Sequence, residues 1–171
     1  MDGIRRASLS CTAFLCCVVF LCIAYFSGVR VNLSGSLPHR LYRIAALPEG
    51  KALSRGELLM PDYRKIDNPA ISEGTARRYL TAHPMVKQVG ALPGETVSLS
   101  GGRFRVDGRD MGPLTVLSAD SQGRPLGAFP TPYTLKAGEF WLVSHPEKGF
   151  DSRYFGPVRR TDITHTAVAI F

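Results

Sequence analysis

Cysteine is missing from the whole chain beyond residue 22; all four (Cys11, Cys16, Cys17, Cys22) lie in one apolar stretch near the start. That placement excludes a disulfide framework for the remainder. No His or acidic residue accompanies them in that stretch, which excludes a thiolate metal site. They read as small hydrophobes in a membrane helix. Runs of one charge are missing too. The net charge is +7, yet the closest basic neighbours are only the pairs Arg5-Arg6, Arg77-Arg78 and Arg159-Arg160. Neither a zinc-finger spacing nor an RNA-binding aromatic strand accompanies them, so no nucleic-acid partner is expected. Attraction to anionic lipid or to an acidic partner accounts for the charge. No period of about 20–50 residues repeats, which excludes a solenoid.

What is present fits one ordinary domain and a short extra element in 171 residues. Hydrophobic residues at 44% suffice for a core, and 17 Gly with 12 Pro suit a turn-rich β domain.

Residues 9–29, LSCTAFLCCVVFLCIAYFSGV, carry no charge. As a helix, 21 residues at ~1.5 Å each cover about 31 Å, the thickness of a bilayer's hydrocarbon. Arg5 and Arg6 precede the run, so the positive-inside tendency keeps residues 1–8 cytoplasmic and delivers residues 30–171 across the membrane, to the extracytoplasmic side. The run is longer than a signal-peptide core, and Ala24-Tyr25-Phe26 makes a poor cleavage site. An uncleaved anchor is expected.

Beyond Arg30 the pattern predicts a mainly β domain with one short helix. Asn68 is the candidate N-cap of that helix and Pro69 its first residue. Strands are expected at Leu58-Leu59-Met60 before Pro61, at Met85 to Val89, and at Phe140 to Val143. Another is expected from Thr166 to Phe171. Thr96 to Leu99 and Arg103 to Val106 flank Ser100-Gly101-Gly102, a hairpin signal. The polar, Pro/Gly-rich stretch from Ser118 to Pro132 reads as a surface loop.

A hydrolase needs a nucleophile, a base and oxyanion donors. Ser34-Gly35-Ser36-Leu37-Pro38 offers hydroxyls and backbone N–H groups in a constrained loop, though Ser-Gly-Ser by itself is more often a plain linker. None of His39, His83, His145 and His165 has a neighbourhood that spacing makes a triad. Among five lysines, Lys87 is unusual, because strand alternation puts it on one face with Met85 and Val89. Desolvation there would favour the neutral amine; a lysine snorkelling from a strand edge is the bland alternative. Asp151 and Arg153, two apart on an extended segment, would share a face and could pair with each other or position a neighbouring loop.

Taken in order, these clusters resemble the boxes of the type I signal peptidases, and among them the conjugative-transfer branch of TraF type. Ser34-Gly35-Ser36 with Pro38, Leu41 and Tyr42 resembles the nucleophile box. Lys87 through Pro93-Gly94-Glu95 resembles the general-base box. Asp151-Ser152-Arg153-Tyr154-Phe155-Gly156-Pro157 matches the C-terminal box nearly residue for residue, and Val106-Asp107-Gly108 stands where the family has Val-Asn-Gly. The resemblance implies a membrane-anchored serine endopeptidase with a signal-peptidase-like β domain and no cofactor or metal. Ser36 would be the nucleophile and Lys87 the general base. The Ser36 N–H and the Ser34 hydroxyl would form the oxyanion hole, with Asp151 and Arg153 as structural supports. The implied partners are the lipid bilayer and a membrane-tethered precursor of pilin type, cleaved by water or cyclised on its own amine. The chain is short, without the large additional domain of some housekeeping enzymes, which implies a specialised substrate. Beyond Arg40, where that branch usually has a Gly, two departures from the pattern matter. Gln88 replaces an Arg beside the base, and Gly149 stands where the family often has a Ser that hydrogen-bonds the lysine. Those departures keep open a catalytically inactive envelope or pilus assembly protein on the same fold.

Overall fold

The computed structural model describes residues 2–32, 37–66, 85–144 and 149–170, with only the backbone course of residues 2–10. Among the described residues, a helix, α1 (Asp2–Phe26), leads into eleven strands. These are β1 (Val29–Val31), β2 (Leu41–Ala46), β3 (Leu58–Pro61), β4 (Lys87–Ala91), β5 (Thr96–Ser100), β6 (Arg103–Val106), β7 (Arg109–Pro113), β8 (Tyr133–Thr134), β9 (Glu139–Val143), β10 (Val158–Arg159) and β11 (Ile163–Ala169). A one-turn helix, α2 (Ser152–Phe155), sits between β9 and β10.

The expected helical span over residues 9–29 needs correction at its end. α1 stops at Phe26, because Ser27 and Gly28 turn the chain and Val29 is already paired with Arg43 in a sheet. Over the described residues alone, no helix is long and apolar enough to cross a membrane. The helix's described side chains are nonetheless turned outward: Phe14, Phe20 and Phe26 are exposed at 71%, 69% and 85%. The helix expected from Asn68 lies outside the described residues.

The strands form two sheets. Seven run in the order β1-β2-β11-β3-β4-β9-β10 and four in the order β7-β6-β5-β8. All their pairings are antiparallel. The hairpin signal is borne out. Ser100 faces Arg103, leaving Gly101 and Gly102 at φ 55° and 69°, the doubly positive turn that matches strand twist. Asp107 and Gly108 make a second such turn into β7.

The sheets enclose two cores, and β9 is shared between them. Phe140 and Leu142 pack with Leu59, Tyr63, Val89 and Phe155, whereas Trp141 and Val143 pack with Ala91, Val97, Phe104 and Leu135. A strand covered on both faces reads as an unbroken apolar run, which is what Phe140-Trp141-Leu142-Val143 is. β4 changes core part-way. Its register slips between Val89 and Ala91, so Val89 faces the first core and Ala91 the second. The stretch from Ser118 to Pro132 carries only the isolated bridge Ala119 to Pro125, as a surface loop should.

Candidate active site

Lys87 opens β4 on the face of the first core. It lies across from Leu59 on β3, on the same side as Val89, and is 1% exposed. Alternation therefore does what the sequence predicts and drives an ammonium-bearing chain into an apolar interior. The consequence is electrostatic. Desolvation pulls Lys87 down from 10.5 to about 8; the nearby Asp151 carboxylate opposes that shift and the Arg153 guanidinium adds to it. An amine in that range is neutral often enough near physiological pH to take a proton. Tyr63, buried beside Phe155, has its phenol pushed up by burial first and by the Asp151 charge second.

The backbone around Lys87 is braced from outside. Arg55 donates to the Gly90 carbonyl at the slip in β4. The same guanidinium pairs with Glu95 at 2.5 Å, and the other Glu95 oxygen accepts the Leu92 N–H at 2.7 Å. The Pro93-Gly94-Glu95 turn is thus tied back to the strand carrying the lysine. Gln88, the departure beside the base, points outward and donates to the Gly56 carbonyl at 3.2 Å. It has a structural role without a charge.

Asp151 and Arg153 do pair, but not on an extended segment as the sequence reading expected. Asp151 is the N-cap of α2, accepting the Arg153 N–H at 3.1 Å. A four-residue helix leaves no periodicity to read; the two meet because the capping carboxylate of Asp151, itself in extended conformation, folds over the turn that carries Arg153. Both residues are fully buried. Arg153 grips the carboxylate with two donors, Nε to Oδ1 and Nη2 to Oδ2, each at 2.8 Å. It also donates to the carbonyls of Thr115 at 2.6 Å and Gly149 at 2.8 Å. Asp151 and Ser152 in turn complete a sheet edge. β10 covers β9 only at Glu139 and Phe140; further along, the Leu142 N–H finds Ser152 Oγ at 2.9 Å and the Ser144 N–H finds Asp151 Oδ2 at 2.8 Å. The motif's polar side chains stand in for a missing strand. Its glycine is steric: Gly156 has φ 76°, and a Cβ there would overlap the Phe129 ring.

Ser34 and Ser36 lie outside the described residues, so the structure brings Lys87, Asp151 and Arg153 together but does not test the serines. The ends of their segment are described. They belong to the β1–β2 hairpin, where Asn32 donates its backbone N–H to the Arg40 carbonyl at 2.7 Å and its Nδ2 to the carbonyls of Leu37 and His39, each at 3.2 Å. Tyr42, buried, receives the His39 N–H on its hydroxyl at 2.9 Å. Among the described residues no group of three or more His, Cys, Asp or Glu could hold a metal ion.

Sequence reasoning missed Ser144, Thr115, Tyr63 and the Arg55–Glu95 pair. Each acts across at least seven residues of sequence.

The profile of the family described as signal peptidase, peptidase S26, matches residues 4–171. A conjugal transfer protein TraF of Agrobacterium tumefaciens is 33% identical over 155 residues, covering 86% of this chain and 85% of its own. Another from Agrobacterium fabrum is 31% identical, covering 84% and 82%. A plasmid transfer protein TraF of Escherichia coli is also 31% identical, covering 82% and 81%. A solved signal peptidase I from Enterococcus faecalis aligns over 66% of this chain and 94% of its own at 19% identity and a TM-score of 0.39, too remote to add to this. With nearly its whole length matched, the chain belongs to the signal peptidase, peptidase S26, family.

Proposed function

We propose that this protein is a membrane-anchored serine endopeptidase that processes an exported precursor in conjugative transfer, with Ser36 as nucleophile and Lys87 as general base. The observation that carries the reading is Lys87 itself: a lysine 1% exposed on an apolar face, with its ammonium pulled down to about 8. A stability argument gives no reason to bury it. A base that must be neutral to work supplies one.

In this mechanism neutral Lys87 Nζ takes the Ser36 hydroxyl proton as Oγ attacks the scissile carbonyl carbon. The oxyanion is held by the Ser36 N–H and the Ser34 hydroxyl. On collapse the C–N bond breaks and the lysine ammonium passes its proton to the leaving amine, leaving an acyl-enzyme. Water then releases the product, or the substrate's own amine closes it into a ring. The likeness to TraF proteins of conjugal and plasmid transfer supports a pilin precursor as substrate. The uncharged run of residues 9–29, most of it in the outward-turned helix α1, supports a single membrane anchor with the β domain on the periplasmic side.

The test is cleavage of a co-expressed pilin-type precursor by wild type, Ser36→Ala and Lys87→Ala, read by mass spectrometry. Processing by wild type and by neither folded variant is expected, and the product mass separates hydrolysis from cyclisation. Normal cleavage by Ser36→Ala would overturn the assignment. A wild type inert on several precursors would favour an inactive assembly protein.

A further inference from the structure

Gly149 leaves room that another residue uses. A Cβ there would overlap the hydroxyl oxygen of Ser144, and would crowd Arg153 Nη2 at 2.5 Å and Asp151 Oδ2 at 3.0 Å. The hydroxyl thus occupies the volume where a side chain at position 149 would begin. Ser144 is itself buried, 9% exposed, and donates from Oγ to Asp151 Oδ2 at 2.8 Å.

The register of β4 and β9 adds a second observation. Gln88 pairs with Val143 and Val89 with Leu142. Continuing one step sets Ser144 across from Lys87, just past the end of β9. Val143 faces the second core and Leu142 the first, so alternation turns Ser144 to the first core, the side that Lys87 faces. Directly opposed side chains have Cβ atoms roughly 4.5–5.5 Å apart. Lys87 therefore has Leu59, which is apolar, across from it on β3 and, with the β4–β9 register continued one step past β9, Ser144, which is not, on its other side.

We infer that Ser144 is a positioning residue for Lys87: its hydroxyl, seated in the space that Gly149 leaves free, fixes the Asp151 carboxylate against the lysine in place of a hydroxyl at position 149. This rests on the proposed Ser36/Lys87 chemistry for its meaning in catalysis, but not for its physical content. Asp151 Oδ2 accepts three donors, two of them from Ser144, and Oδ1 accepts two from Arg153. Among the described residues, the charged and titratable groups facing Lys87 are Asp151 and Arg153 of the C-terminal motif, with Tyr63 following β3 in the same core. Removing one donor from Asp151 leaves its negative charge less neutralised, which favours the lysine ammonium.

The experiment uses the full chain in detergent micelles with carbon-13 at lysine Cε. Only five lysines are present, and Lys87→Arg assigns the resonance. The Lys87 titration midpoint is expected to rise by roughly half a unit or more in Ser144→Ala and to return in Ser144→Thr, which restores the hydroxyl. The ascending limb of the cleavage-rate profile should move with it. Gly149→Ala, which displaces the hydroxyl, should raise the midpoint as Ser144→Ala does, and the double variant should show no further rise. A midpoint and limb both unmoved in folded Ser144→Ala would overturn the inference, as would additive shifts in the double variant. If Ser36→Ala cleaves normally while the midpoint still moves, the peptidase reading fails and the positioning of Lys87 stands.

Discussion

Two ion pairs in this protein join the same two residue types and differ in almost everything else. Asp151–Arg153 is sealed from solvent at both ends; Arg153 also donates to two backbone carbonyls, and Asp151 accepts an N–H from the end of β9. Arg103–Asp110 spans β6 and β7 on the second sheet at 2.6 Å, with the side chains 44% and 40% exposed. The first cannot lose a member without stranding a charge in the core. The second exchanges its partner for water. Charge pairing is common to both; burial decides what each is worth.

The comparison can be pushed hardest at Arg153. Arg153→Ala leaves Asp151 buried without its bidentate partner and is expected to cost about 3–5 kcal/mol in denaturant unfolding. A loss below about 1 kcal/mol would put the pair in the class of Arg103–Asp110. Next is the buried cation beside it. Below pH 8 Lys87 carries its proton whether folded or unfolded, and its burial penalty is constant. Between about 8 and 10.5 the unfolded chain binds more protons, so stability should climb with pH by up to about 3 kcal/mol. Tyr63, whose phenol burial pushes up, works the other way above about pH 10, so the clean window is pH 8 to 10. Unfolding midpoints measured across that window should lose their slope in Lys87→Met. For the proposed chemistry the same group gives a cleavage rate that rises with pH through about 8.

A smaller effect is expected from geometry alone. Gly156→Ala must adopt φ 76° and push its Cβ into the Phe129 ring, costing about 1–3 kcal/mol by thermal unfolding. At the bottom of the scale, Arg103→Ala should leave the unfolding midpoint unchanged at physiological salt. A measurable drop would mean that the second sheet depends on its surface charges.

The same contrast explains what the sequence made legible. The β5–β6 hairpin announces itself because two adjacent glycines suit one kind of turn, and β9 because a strand buried on both faces needs no polar residue. Lys87 stood out for breaking an apolar pattern. The strands β1, β7, β8 and β10 did not stand out, being two to five residues long and largely exposed, with pairing set by their neighbours. Asp151 and Arg153 were legible as a pair but not as a cap and first turn, since one helical turn and one bent strand look alike in sequence. Ser144 was illegible as a site residue. Its role depends on a register set by β4, and on an absence at position 149.

Only Ser27 and Gly28 separate the last residue of α1 from the first of β1, and neither is slack. Ser27 Oγ caps back onto the Ala24 carbonyl, and the Gly28 carbonyl accepts the Ile44 N–H at 2.8 Å. Arg30 reaches back over the Tyr25 ring at 4.1 Å and donates to the Tyr25 carbonyl. Helix and hairpin are welded rather than tethered. The helix is thereby placed to act as a ruler for the sheet: a shift of α1 along its axis would be transmitted to the pairing of β1 with β2. Flexible residues inserted at this joint would erase that measurement while leaving both parts intact.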